Sequence, residues 1–176
     1  MRTLNQILTD INNRIKADLS IPNVIYWNEA TLQEKDDKTS PIVNLGTREG
    51  TQISPKEFNL QTYHRLIDSE TETDPNGGFG KYPYRVRIYT LRNVWLGDLS
   101  SLSSQSYEFN DDVKNDVYAA FPVILDSKET VRTINEVTNK DQVLSEEFPG
   151  YELSNLNLEL IAFYIEYQVR QKIRCA

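Results

Sequence analysis

The sequence predicts an α+β fold: a mixed, mainly antiparallel sheet with a long hairpin, flanked by an N-terminal helix and a second, central helix. Three observations carry that reading. Apolar residues recur at helical spacing from Leu4 to Leu19, two aromatic and β-branched runs flank turn chemistry in mid-chain, and residues alternate from Ile161 to Val169. With 176 residues, 39% hydrophobic and 26% charged, the chain is long enough to bury a core and is read as a single domain, 1–176.

In the first element Leu4, Ile7, Leu8, Ile11, Ile15 and Leu19 share one face of a helix. Thr3 with Gln6 has the form of a capping box, and Pro22 limits the far end. NVIYW, Asn23 to Trp27, is a short strand. The polar stretch from Asn28 to Ser40 reads as a loop before another short strand at Pro41 to Leu45.

The middle of the chain supplies the hairpin, EFNLQTYHRLID (Glu57 to Asp68) and YRVRIYTLRNVWLG (Tyr84 to Gly97). Between them Pro75-Asn76-Gly77-Gly78 is turn chemistry, and the connection is longer than hairpins normally use. Residues 69–83 are therefore expected to form a protruding loop or arm. FNDDVKNDVYAAF then reads as the second helix, with Asn110 as N-cap and Val113, Val117, Ala120 and Phe121 on one face. PVIL (Pro122 to Leu125) and VRTINEV (Val131 to Val137) are strand candidates.

Near the C-terminus Ile161, Phe163, Ile165, Tyr167 and Val169 alternate with Ala162, Tyr164, Glu166, Gln168 and Arg170, so a strand with the first set facing a core is preferred to a helix. At roughly 3.3 Å per residue the stretch from Leu158 to Arg174 would extend some 50 Å, more than a small sheet covers. Part of it is expected to bend, fray or pair outside the subunit.

Chemistry is sparse. His64 is the one histidine and Cys175 the one cysteine, which removes the usual zinc sites and any internal disulfide. His64 lies in a predicted strand, where a structural or surface role is expected. No phosphate-binding, dinucleotide or nucleophile-elbow motif is present. Asp126-Ser127-Lys128 imitates the end of a metal-dependent nuclease site but lacks an upstream carboxylate. Asp68, Glu70, Glu72 and Asp74 in DSETETD resemble the opening of a calcium loop, yet Thr73 stands where glycine is required, so a solvated acidic loop is expected. Neither a metal nor a cofactor is implied, and a non-enzyme is the reading.

Acidic residues outnumber Lys and Arg 26 to 19, a net charge of -7 that disfavours a DNA-gripping surface. Arg85, Arg87 and Tyr89 share one face of a strand, and Arg170, Lys172 and Arg174 share another. These, with Asp68, Glu70, Glu72 and Asp74, are the candidate subunit-interface residues, an acidic arm of one copy meeting a basic stripe on the next. An ordinary solvent face with edge-protecting charge is the alternative. Ten tyrosines add amphipathic contact area suited to interfaces. No run has the length of a membrane span and no signal-peptide core begins the chain, so use in a cytoplasm, or in a particle assembled there, is expected.

The order of these elements, carried by LNQILTDINNRI, YRVRIYTLRNVW, FNDDVKNDVYAAF and LELIAFYIEYQVR, resembles the tailed-phage head-to-tail joining and tail-terminator proteins, a family of neck rings. The resemblance implies a structural virion protein at the neck or tail, assembled in the host cytoplasm. Its partners would be itself, in a ring of six or twelve copies, and adjacent portal, neck or tail proteins, with DNA passing through the lumen without specific binding. Two other classes stay open: a cellular protein-binding module using the acidic loop and exposed strands, and the metal-dependent nuclease.

Overall fold

The computed structural model describes residues 3–18, 24–35, 37–43, 50–53, 60–74, 84–97, 106–123, 129–152 and 158–172. In chain order the elements are α1 (Leu4–Asp18), β1 (Ile25–Lys35), β2 (Lys38–Val43), β3 (Thr51–Gln52), β4 (Gln61–Asp74) and β5 (Tyr84–Gly97). After these come α2 (Ser106–Val123), β6 (Glu129–Glu136), α3 (Lys140–Glu147) and β7 (Glu159–Lys172). The strands form one seven-stranded sheet in the order β3-β2-β1-β4-β5-β7-β6. Every pairing is antiparallel except β1 with β4, so the α+β mixed sheet is what the sequence predicts.

Both faces of the sheet are covered over its central part. On one, Ile7, Leu8, Ile11 and Ile15 of α1 and Val113, Val117 and Ala120 of α2 pack on Leu91, Trp95, Ile161, Phe163, Ile165, Tyr167 and Val169. On the other, Val143 of α3 and Phe148 pack on Tyr63, Val94, Leu96, Leu160 and Ala162. The alternation in β7 therefore separates two cores rather than a core from solvent. Leu160 and Ala162 are buried, Tyr164, Glu166 and Gln168 are half-buried, and Arg170 is exposed.

The helix start reads as expected. Thr3 N–H donates to Gln6 Oε1 at 2.9 Å and Gln6 N–H to Thr3 Oγ1 at 3.3 Å, the reciprocal capping box. Several other expectations are corrected. The polar stretch 28–40 is not a loop: β1 continues to Lys35, and β2 returns from Lys38, with Lys35 opposite Lys38. Asp37 supplies the positive φ of 59° that a tight reversal demands and that Asp tolerates. Edge pairing here overrides a weak β propensity.

Asn110 is not an N-cap, because α2 begins a turn earlier at Ser106 and Asn110 lies inside it. Pro122 and Val123 end that helix instead of opening a strand, and the rest of PVIL lies outside the described residues, as do Leu19, Pro22 and Leu45. The helix α3 has no counterpart in the sequence reading. Its signal was local: Asn139 Oδ1 accepts from Gln142 N–H at 3.1 Å, a side-chain N-cap.

Candidate interaction surface

The hairpin β4–β5 is longer than the sequence predicts. Residues Ser69 to Asp74 are paired strand, with Asp74 opposite Tyr84, so the expected arm 69–83 is strand in its first part; 75–83 lie outside the described residues. β7 follows β5 over the same length, from Gly97 opposite Glu159 to Tyr84 opposite Lys172. The projecting element is thus three strands wide.

Its outer edges are open among the described residues. β1 leaves β4 after Ala30 opposite Arg65 and goes on with β2 alone, so no described strand pairs with β4 from Leu66 to Asp74 on that side. A bulge between Leu66 and Asp68 opens this free edge and turns Ile67 outward, 38% exposed. At the other side β6 stops at Glu129, opposite Val169, so β7 from Arg170 to Lys172 has no described strand beyond it. The remaining edge of β6 carries a bulge between Val131 and Thr133, and β3 has two residues, both recognised ways of blunting an edge.

Register assigns the candidate residues to faces. Glu72, Val86 and Arg170 form one row across the three strands; Glu70, Ile88 and Gln168 form the next; Asp68, Thr90 and Glu166 the third. These lie on the α3 side of the sheet, past the end of the core there. Asp74, Tyr84 and Lys172 continue the series by register. Arg85, Arg87 and Tyr89 lie on the opposite side, so the acidic row and these arginines do not meet within the arm. Asp68, Glu70, Glu72, Arg85, Arg87 and Arg170 are exposed. Arg174 lies outside the described residues.

Tyr89 is a correction. Only 8% exposed, it belongs to the α1–α2 core and is no docking residue. Its hydroxyl accepts from Arg87 Nη1 at 3.4 Å, and the guanidinium stands 6.0 Å from the ring centroid. That hydrogen bond holds the Arg87 pKa above its ordinary value.

Two buried polar networks, neither expected, fix the base of the arm. On the α3 side Glu147 is fully buried; Arg92 Nη1 donates to its Oε1 at 2.9 Å, Arg65 Nη1 lies 3.1 Å from the same oxygen, and Tyr63 donates to Oε2 at 3.4 Å. The Arg65 contact is an ion pair rather than an aligned hydrogen bond. Arg92 Nη2 also donates to Glu146 at 2.6 Å and to the Tyr164 hydroxyl, whose ring it overlies. Burial holds the Glu147 carboxyl above its usual range, and the two guanidiniums offset only part of that rise. Two positive and two negative groups make the cluster neutral, as a buried charge set must be.

On the other side His64 Nε2 contacts Asn12 Oδ1 at 2.9 Å, and Nδ1 faces Asn93 Nδ2 at 3.4 Å. An acceptor at Nε2 and a donor at Nδ1 select the neutral tautomer protonated at Nε2. Burial lowers the His64 pKa to about 3. Asn93 Oδ1 accepts from Trp95 Nε1 at 2.7 Å, and Asn12 Nδ2 donates to the Trp27 carbonyl at 2.8 Å, so α1 is latched to β1, β4 and β5. His64 is therefore a structural residue.

Among the described residues no cluster of His, Cys, Asp and Glu is placed to hold a metal ion. The carboxylates of Asp68, Glu70 and Glu72 stand on alternate residues of an extended strand, about 7 Å apart per step, which spreads them along the edge instead of converging them. Asp126, Lys128 and Cys175 lie outside the described residues. Among the described residues no helix is long and apolar enough to cross a membrane. No protein-family model matches the chain, and no curated protein matches it.

Proposed function

We propose that the protein is a non-enzymatic structural component of a tailed-phage virion, forming a ring at the neck or tail that joins head and portal to tail around the DNA channel. The observation that supports this reading is the unlikeness of the two open edges of the arm. One is acidic along β4, and the other is basic at the end of β7. Complementary but different patches suit a heterologous interface, which closes into a ring by rotation, whereas a twofold dimer needs a patch that complements itself.

The net charge of -7 agrees with a channel that lets DNA pass without holding its phosphates. The mechanism is geometric. Each ring adapts one layer of the channel to the next, with adjacent portal, neck or tail proteins docking above and below, and assembly taking place in the host cytoplasm.

Light scattering of the purified protein across concentration, with electron micrographs of the oligomer and mass spectrometry of particles from the same source, tests the reading. Closed rings and presence in particles are expected. A monomer at every concentration, absent from particles, overturns it; a monomer that instead captures a cellular protein through the acidic β4 edge identifies a binding module.

A further inference from the structure

We infer that the outer edge of β4 receives an extended basic segment of another protein as an added strand, seated in the fork where β1 and β4 part. The contact does not depend on ring closure.

The fork begins at a fixed point. β1 and β4 are paired up to Ala30 and Arg65, after which β1 continues to Lys35 and β4 to Asp74 without pairing one another. The far end of β1 is held elsewhere. Just past the β1–β2 reversal Thr39 N–H donates to the Pro149 carbonyl at 3.0 Å, and Lys38 Nζ lies 5.2 Å from the Tyr151 ring centroid. β4 meanwhile goes on beside β5 alone. From Ile67 to Thr73, roughly 23 Å of strand, every residue is exposed and the outer backbone groups face no described strand.

Side chains select what fits there. Ala30 belongs to the α3-side core and Arg65 reaches Glu147 on that side, so Leu32 and Ile67, each two residues further on, point the same way. They are 39% and 38% exposed, two of the three large apolar side chains left exposed among the described residues, and they stand one on each limb of the fork. An apolar side chain entering at the root covers both. Further out the limbs are acidic, with Glu34 on β1 and Asp68, Glu70 and Glu72 on β4, all exposed. β4 carries no Lys or Arg beyond Arg65, and Arg85 and Arg87 of β5 lie on the opposite face. The fitting segment therefore has one apolar residue at the root and Lys or Arg at alternate positions outward from it, since opposite charges stabilise a strand pair. An antiparallel course gives the better ladder. The basic end of β7 in a second copy is not that segment, because β5 and β6 already flank β7 up to Val169.

A fluorescein-labelled peptide Lys-Thr-Lys-Thr-Lys-Thr-Leu, which sets its lysines beside Glu72, Glu70 and Asp68 and its leucine beside Ile67, tests the contact by fluorescence anisotropy. Glu70→Lys with Glu72→Lys should bind it about tenfold more weakly than the parent, as should Leu32→Ser with Ile67→Ser. All four positions are exposed, so both variants should keep the parent's circular dichroism. Should either fail to fold, Glu70→Gln with Glu72→Gln carries the test. N-methylation of the lysine and leucine amides, or of the threonine amides, removes the donors of one peptide edge at a time; one set should abolish binding and the other leave it intact.

Binding that ignores which edge is methylated, or that ignores the variants, overturns the strand addition. No binding up to millimolar peptide does the same and makes β4 a charge-protected solvent edge. Self-association of the parent that these variants abolish makes a second copy the occupant and overturns the choice of a foreign segment. Light scattering of the same samples without peptide reports ring closure separately, so the ring reading and the strand addition fail on different measurements.

Discussion

Arg65 and Arg92 stand directly opposite one another on adjacent antiparallel strands, and both point at the same oxygen of Glu147. Like charges facing across a ladder oppose pairing. The carboxylate at the last residue of α3 reverses that effect, so an eight-residue helix of weak amphipathicity is held where it closes the second core.

Replacing Glu147 with Gln should destabilise the fold by about 3 kcal/mol, because two guanidiniums, one of them fully enclosed, lose their counter-charge. Urea unfolding measures it. Glu146→Gln is the contrast: Glu146 is 38% exposed on its side chain, and its pair with Arg92 should be worth no more than about 1 kcal/mol.

Acid should weaken the protein through His64. Its folded pKa, lowered to about 3, lies below the ordinary value of 6.5, so between those values the unfolded chain binds a proton that the folded chain does not. Stability is full above about pH 6.5 and falls by roughly 1.4 kcal/mol per pH unit as pH drops through that window. Urea titrations from pH 7 to pH 4 on the parent and on His64→Gln should show a shallower decline in the variant. Parallel curves would contradict a buried neutral imidazole.

The caps give smaller effects at exposed positions. Thr3→Ala and Asn139→Ala should each cost about 1 kcal/mol, while Thr3→Ser, which keeps the capping hydroxyl, should leave stability unchanged. Thermal melts of the three variants check the order.

Gly150 follows the α3 segment at φ 82°, and a Cβ there would come within 2.7 Å of the Asp37 carbonyl oxygen in the β1–β2 reversal. Gly150→Ala should destabilise by about 2 kcal/mol, since both the backbone conformation and the space are lost. Gly97, whose Cβ would meet Leu60 Cα at 2.8 Å, should behave alike in the same urea assay.

Local patterns in the chain carry much of the architecture. The Thr3–Gln6 box, the period of α1 and the alternation of β7 each arise from contacts within a few residues, and each is present in the structure as read. Polar strands were not legible, because nothing in NEATLQEK distinguishes an extended loop from an edge strand until β2 and β4 come alongside. Tyr89 was misread for a related reason: alternation assigns a residue to a face but does not say which helices cover that face.

Sequence alone therefore determines the fold class and the two main helices, since periodicity, capping and turn chemistry are short-range effects. Folding in three dimensions decides the rest. It sets Arg65 against Arg92 with Glu147 between them, puts Glu72 and Arg170 on one row, and leaves the outer edge of β4 without a described strand, because each of these depends on residues brought together from distant parts of the chain.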